Sequence, residues 1–100
     1  MYARVTTFHM KVKAIDEAVN IYQNSIIPEA QQQKGFKAAF SLTNKNAGKF
    51  MSITIWENIE LALANQKSGY YQKQIDKFED FLVDRPEIES YTVAANLSII

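Results

Sequence analysis

The chain has 100 residues, of which 47% are hydrophobic and 22% are charged, values typical of a globular domain and not of a disordered or fibrous chain. It contains no cysteine, which excludes disulfides, thiolate nucleophiles and zinc–cysteine sites. Eleven basic and eleven acidic residues leave no net charge to attract phosphate backbones or anionic lipid, so we expect neither nucleic acid nor a membrane as partner.

The N-terminus alternates polar and apolar residues and lacks the apolar segment of a signal peptide. Nowhere does the chain contain the run of about 18 apolar residues that a membrane-spanning helix needs. We therefore expect residues 1–100 to form one domain of a cytoplasmic protein.

The first elements predicted are a strand and a helix. A strand is expected over Ala3 to Lys11, where β-branched residues are frequent and both faces are mixed. Apolar residues then recur at helical spacing from Ile15 to Ile26. Pro28 cannot donate a backbone hydrogen bond, so we expect the helix to kink or restart there and to end at Gly35.

The next segment predicts a hairpin. A strand over Gly35 to Thr43 carries its apolar side chains on one face, namely Phe36, Ala38, Phe40 and Leu42. Turn residues from Asn44 to Gly48 accept positive φ, and a further strand runs to Trp56. The two strands should pair antiparallel.

Helical spacing returns after Trp56. Asn58 is expected to cap a short helix, and Ser68 a longer one after a break at Ser68-Gly69. The apolar stripe of the longer helix is predicted to contain Tyr71, Ile75, Phe78 and Leu82. Pro86 should end this helix, and alternation over Glu89 to Leu97 predicts the last strand.

The resulting order, βαββαβ, predicts an α+β fold of the ferredoxin-like type, with a four-stranded antiparallel sheet and both helices on one face. The other face would expose more apolar surface than a monomer usually shows. We therefore expect a homodimer that pairs through this sheet face and closes as a dimeric α+β barrel.

The residues from Met51 to Ala62, with Trp56 at the strand end, followed by Ser68-Gly69-Tyr70-Tyr71 and preceded by Gly35-Phe36, resemble the antibiotic biosynthesis monooxygenase domain family. The resemblance covers nearly the whole chain by element order. It implies a dimeric α+β barrel with a pocket between the sheet and the second pair of helices. Members include cofactor-independent oxygenases of phenols and quinols, haem-degrading monooxygenases and proteins of unknown activity.

The haem-degrading branch of this family has a histidine, a tryptophan and an asparagine where this chain has Ile75, Asn65 and Thr6. An isoleucine cannot ligate iron, so we expect no haem. His9 is the sole histidine and has no second histidine or cysteine with which to share a metal, so we expect it to be solvated or in an interface. We predict no metal and no other cofactor.

The cofactor-independent branch implies a pocket that binds an aromatic substrate and helps to remove its phenolic proton. The resemblance then implies Asn65 and Tyr70 as catalytic residues, with Asn65 bonding a phenolate or enolate oxygen and Tyr70 handling the proton. Trp56, Thr6 and Phe8 are the predicted substrate-binding residues, with Trp56 stacking on the ring. Family members with a histidine near the Asn65 position have an obvious general base, and this chain lacks it.

Structural interpretations compete with these roles. Trp56 is also expected as a core or interface anchor. Tyr70 and Tyr71 diverge by about 100° on a helix, so we expect only Tyr70 to face the pocket and Tyr71 to lie in the core. The alternative function is therefore a small-molecule-binding or sensing dimer without catalysis. The sequence contains no GxGxxG, GxxxxGK[ST], GxSxG or HExxH motif.

Overall fold

The computed structural model describes residues 1–97. Its strands are β1 (Tyr2–His9), β2 (Phe36–Asn44), β3 (Lys49–Trp56) and β4 (Glu87–Thr92), and its helices are α1 (Ile15–Ile21), α2 (Ile27–Ala30), α3 (Ile59–Lys67) and α4 (Tyr70–Asp76). The strands form one antiparallel sheet in the order β2-β3-β1-β4. This arrangement confirms the predicted ferredoxin-like α+β fold. In residues 1–97 no helix is long and apolar enough to cross a membrane.

The strand register separates the sheet into a helix-facing side and an open side. Arg4 pairs with Thr54, and Phe8 pairs with Phe50, so these side chains point to the same side. Phe8 and Phe50 belong to the main hydrophobic core together with residues of α1, which identifies that side as the one the helices cover. Val5 and its partner Ile53 point to the open side.

Four aromatic rings form the centre of the core. Phe8, Phe50 and Phe78 lie with their ring centroids 5.1 to 6.0 Å apart in edge-to-face geometry, and Tyr22 packs edge-on against Phe50 at 5.5 Å. Such pairs are worth about 0.5 to 1.5 kcal/mol each beyond the burial of their area. The cluster fixes the end of the sheet against α1 and the segment that follows α4.

The first helical region is interrupted, as predicted from Pro28, although the irregular turn lies before the proline. A π-helical turn over Tyr22–Ile26 separates α1 from α2, and Pro28 lies in the first turn of α2. Since a proline nitrogen has no hydrogen to donate, the wider turn occurs where the regular hydrogen-bond ladder is broken. The helix ends at Ala30, earlier than the predicted end at Gly35.

The second helical region departs from the prediction at its C-terminal end. Asn58 caps α3 as expected, accepting a hydrogen bond from the Leu61 backbone at 2.9 Å. However, α4 ends at Asp76, so Phe78 and Leu82 do not continue its stripe. Leu82 has extended backbone angles and forms a bridge with Met10. Burial of Phe78 in the aromatic cluster and this bridge outweigh the local helical pattern.

The ends of the first and last strands also differ from the prediction. We expected strands over Ala3 to Lys11 and Glu89 to Leu97, whereas β1 ends at His9 and β4 covers Glu87–Thr92. The reason is their antiparallel pairing, which runs from Thr7 opposite Glu87 to Tyr2 opposite Thr92. Beyond Thr92 the ladder has no further β1 residue to pair with.

The open side of the sheet is apolar. Buried residues of this side are Ala3, Ala38, Ile53 and Ile55, with Val5, Met51 and Val93 packed against them. Phe40 is 46% exposed and Leu42 is 52% exposed, on the same side as Ile53 and Met51, with which they pair. We call this surface the open face.

Gly48, in the turn between β2 and β3, lies against the backbone of Met10, just after the end of β1. Its φ of 63° is left-handed, and an added Cβ would clash with the Met10 carbonyl oxygen. We expect Gly48→Ala to lower the free energy of unfolding by about 3 kcal/mol, since strain and a backbone clash add. Gly69→Ala has a similar φ of 88° but open space around it, so it should lose only about 1 kcal/mol. Equal losses in urea unfolding would contradict this account.

Candidate functional site

A small cavity lies between the helix-facing side of the sheet, the first helical region and α4. Its volume is about 40 Å³, which is room for roughly three water molecules. Its lining residues are Arg4, Thr6, Phe8, Tyr22, Ile26, Ala30, Ser52, Thr54, Trp56, Tyr70, Tyr71, Gln74, Ile75 and Phe78. The aromatic core forms one end of the cavity, and polar side chains from β1 and α4 form the other.

Arg4 is the charged residue of the cavity wall. It is only 3% exposed, and no carboxylate among residues 1–97 forms a salt bridge with it. Its Nη2 donates to Asn65 Oδ1 at 2.9 Å and its Nη1 to the Ala62 carbonyl at 3.4 Å. Burial lowers the pKa of the guanidinium from its usual value. An arginine nevertheless stays protonated in proteins, so a positive charge remains in this site.

Aromatic faces partly replace the missing counter-ion. The Arg4 guanidinium carbon lies 4.1 Å from the centroid of the Tyr71 ring and 5.1 Å from that of Trp56. Each contact of this kind contributes about 0.5 to 2 kcal/mol. The Tyr71 hydroxyl is in turn hydrogen-bonded to the Thr6 hydroxyl, and burial raises the pKa of Tyr71. The cation is therefore held by neutral groups alone.

Asn65 lies behind Arg4 and outside the cavity wall. Its Oδ1 accepts from Arg4, and its Nδ2 donates to Gln33 Oε1 at 3.1 Å. With both ends of the amide engaged, Asn65 positions the guanidinium. We predicted that Asn65 bonds a substrate oxygen directly. In the structure its side-chain oxygen instead accepts from Arg4, and Asn65 is not part of the cavity wall.

Trp56 is a structural anchor that also lines the cavity. It is 1% exposed, packs edge-on against Phe36 at 5.9 Å, and donates from Nε1 to Thr54 Oγ1 at 3.0 Å, as a structural anchor does. It also lines the cavity beside Arg4. Its ring is therefore fixed in place as one wall of the site.

Tyr70 and Gln74, one turn apart on α4, bring unpaired polar atoms to the cavity. The Tyr70 hydroxyl and both polar atoms of the Gln74 amide are buried without a hydrogen-bond partner in the described part of the chain. Gln74 lies close enough to Glu29 to help lower the pKa of that carboxyl, although its amide does not meet the geometry of a hydrogen bond. Burial raises the pKa of Tyr70 to about 12. At neutral pH its hydroxyl is protonated and can donate.

An ion pair connects α2 with the end of α4 next to this cavity. Lys77 contacts Glu29 and donates to Ser25 Oγ at 2.9 Å, while Lys73 lies 3.8 Å from Glu29. Lys77 is the main cause of the lowered pKa of Glu29. The pair is partly exposed, and it holds α4 over the cavity.

The cavity wall contains no histidine, cysteine or carboxylate among the residues that the structure describes. His9 lies on the open side of the sheet, 3.6 Å from Glu87, and it does not reach the cavity. Ile75 lines the cavity at the position where the haem-degrading branch has its histidine. Across residues 1–97 no cluster of three metal-ligating side chains occurs.

The structure brings four of the five predicted site residues into one wall, namely Thr6, Phe8, Trp56 and Tyr70. Their roles toward a substrate stay predictions. Tyr71 also lines the cavity, so the expectation that only one of the two tyrosines would face it was wrong. The cavity extends under the first turn of α4, where side chains about 100° apart can both reach it.

Arg4, Gln74 and Tyr22 also line the cavity, and none of them was predicted to do so. One signal was available for Arg4: it shares its strand parity with Thr6 and Phe8, so it had to point to the same side of the sheet. No local signal indicates Gln74, which lies on α4 among other polar residues.

The fold is shared with solved structures of antibiotic biosynthesis monooxygenases. A candidate member from Deinococcus radiodurans has a TM-score of 0.77 and 15% identity over 100% of this chain and 99% of that chain. A second, from Nitrosomonas europaea, has a TM-score of 0.75 and 14% identity over 95% and 100%. The monooxygenase from the gene ActVA-Orf6 of Streptomyces coelicolor, in complex with the ligand nanaomycin D, has a TM-score of 0.80 and 13% identity over 97% and 90%.

No family model matches the chain, and no curated protein matches its sequence. Identities of 13 to 15% show a common fold and leave the activity open. The resemblance to antibiotic biosynthesis monooxygenases is thus confirmed at the level of the fold.

Proposed function

We propose that this chain is a cofactor-independent monooxygenase of the antibiotic biosynthesis monooxygenase family, acting on a small aromatic substrate of the phenol or quinol type. The observation that carries the proposal is the cavity between the sheet and α4, whose wall combines Trp56, Phe8 and Phe78 with the unpaired hydroxyl of Tyr70. Aromatic walls with a few polar groups are typical of small-molecule sites.

The reaction requires no outside reductant. When a ring methylene activated by a phenol is converted to a carbonyl, two C–H bonds break, one atom of O₂ bonds to carbon and the other leaves as water. The four electrons that reduce O₂ come from the substrate itself. Trp56 would orient the ring by stacking, and Tyr70 would donate a hydrogen bond to the substrate oxygen. With its raised pKa, Tyr70 serves as a donor and not as the base.

An aromatic ring needs more space than the cavity now offers, since small-molecule pockets measure about 300 to 1,000 Å³. The wall that can give way is α4, a seven-residue helix whose attachment to α2 is the partly exposed Glu29 to Lys77 pair. Exposed ion pairs contribute little stability, so displacement of α4 requires little energy at this contact.

The proposed assembly is a homodimer that pairs through the open face, as expected from the sequence. Phe40 and Leu42 stand half exposed there, next to the buried cluster of Ile53 and Ile55. Burial of such a surface favours association, at about 25 cal/mol per Å² before the costs of binding.

Oxygen uptake by the metal-free protein tests the activity. With a panel of dihydroxyaromatic and anthrone-type substrates, we expect protein-dependent consumption of one O₂ per carbonyl formed. Tyr70→Phe should slow this uptake by about 10- to 100-fold, because an oxyanion donor is lost. The matched control is Tyr91→Phe, which removes an exposed hydroxyl that bonds Glu89 and should leave uptake unchanged.

If the protein binds substrates of the panel but consumes no oxygen with any of them, the oxygenase is refuted and the alternative is supported. A Soret shift in a haem titration would instead point to the haem-degrading branch. The alternative is a small-molecule-binding or sensing dimer without catalysis. The feature that favours it is the lack of a histidine or carboxylate among the described residues of the cavity wall, which leaves this wall without an obvious general base.

A further inference from the structure

We infer that the cavity is an oxyanion subsite, and that its ligand is an organic anion, a carboxylate or an ionised phenol or enol, whose charge becomes the counter-ion of Arg4. The inference rests on the proposed function only in taking this cavity as the ligand site. It adds the charge of the ligand and the residues that select it, namely Arg4, Tyr70 and Gln74.

Arg4 carries a charge that no salt-bridge partner in residues 1–97 balances. A buried cation normally has a carboxylate partner, because an uncompensated charge costs several kcal/mol to remove from water. Arg4 is 97% buried, with only an amide, a carbonyl and two aromatic faces around it. An anion in the cavity would supply the partner that residues 1–97 do not.

Several polar atoms around the same cavity are left unpaired in the described part of the chain. They are Arg4 Nε, the Tyr70 hydroxyl, Gln74 Nε2 and Gln74 Oε1. Three of these groups donate hydrogen bonds, and only Gln74 Oε1 is solely an acceptor. Gln74 is 6% exposed, so its amide is not satisfied by bulk solvent. A wall of donors around a cation is complementary to an oxygen that carries negative charge.

No residue of the described cavity wall can provide the negative charge itself. Neither a carboxylate nor a thiol lines the cavity in the described part of the chain. The tyrosines that line it have raised pKa values because of burial, which keeps them neutral at physiological pH. Glu29 is a carboxylate near Tyr70 and Gln74, but it lies outside the wall and pairs with Lys77 and Lys73. The anion that balances Arg4 therefore arrives with the ligand.

This arrangement also compensates for the missing general base. A neighbouring cation favours the ionised form of a bound phenol, so a ligand that is already ionised in solution, or that ionises readily, needs no base of the protein to abstract its proton. A neighbouring cation lowers the pKa of an acidic group by about one to three units.

The binding test uses 4-nitrophenol, because its ionised form alone absorbs strongly in the violet. Titrated with pH in the presence of excess protein, its pKa should fall by about one unit or more, equivalent to at least tenfold tighter binding of the anion. Arg4→Met should abolish this shift, and Arg4→Lys, which keeps the charge, should retain part of it. Lys45→Met is the matched control, since it removes one positive charge at the surface and should leave the shift unchanged.

Two competition arms identify the class of anion. Benzoate displacing the probe much better than benzyl alcohol supports a carboxylate ligand, and an ionised phenol displacing it better than benzoate supports a phenolate or enolate. Equal displacement by charged and neutral analogues would overturn the inference and leave the aromatic pocket of the proposed function standing. Failure of every analogue to bind would overturn both, because the cavity would not be a ligand site.

Discussion

Replacing Arg4 with methionine should reduce oxygen uptake by about 100- to 1,000-fold while leaving the free energy of unfolding unchanged or higher. The two effects have one cause. Removing a buried cation without a carboxylate partner removes its cost of burial, and methionine fills similar space with apolar atoms. Apolar replacement of a whole buried ion pair is often neutral or stabilising by about 1 to 4 kcal/mol. For Arg4→Met this gain offsets the loss of the donor that the Asn65 Oδ1 and the Ala62 carbonyl now have. Such a result would mean that the chain keeps Arg4 although it lowers the free energy of unfolding, as functional groups often do.

The measurements are urea unfolding and oxygen uptake on the same preparations. Asn65→Ala is the informative companion, because it keeps the cation and removes its 2.9 Å hydrogen bond. It should lower the free energy of unfolding by about 1.5 to 3 kcal/mol, since a hydrogen bond to a buried charge is lost. If Arg4→Met lowers the free energy of unfolding more than Asn65→Ala does, the guanidinium stabilises the fold. The explanation that Arg4 is kept for function would then be contradicted.

From the sequence, only the site residues whose side of the sheet follows from strand alternation could be predicted. Alternation places Thr6 and Phe8 on one side of β1, and the strand end places Trp56. The environment of Arg4 depends on residues about 60 positions further along the chain, among them Asn65 and Tyr71. No local pattern reveals such a contact, so a buried charge without a partner becomes visible only in the folded chain.

The fold itself was largely predictable, because each strand and the first helix carry their own periodicity. The errors occur where pairing between distant segments overrides a local pattern. Leu82 fits the helical stripe of Tyr71 and Ile75, yet its backbone bridges to Met10. Likewise β4 ends at Thr92 because its partner strand begins at Tyr2, although alternation continues in the sequence.

The second large effect concerns the open face. The double variant Phe40→Glu, Leu42→Glu should be monomeric at micromolar concentration, sedimenting at the mass of one chain, 11.4 kDa, whereas the unchanged chain should sediment at twice that mass. In a two-fold symmetric dimer the open face of one copy packs against the open face of the other. The new carboxylates would therefore lose water and lie close to one another, which disfavours the dimer. Both positions are about half exposed in one chain, at 46% and 52%, so the folded chain should tolerate the change.

Val12→Glu controls for the added charge. Val12 is 57% exposed, precedes α1 and is not part of the open face, so this variant should sediment as the unchanged chain does. An unchanged chain that sediments at 11.4 kDa would contradict the proposed dimer. The cavity lies on the opposite side of the sheet, so the double variant should still shift the pKa of bound 4-nitrophenol. Loss of that shift together with the dimer would mean that the second copy helps to hold β1 and Arg4 in the geometry that binds the anion.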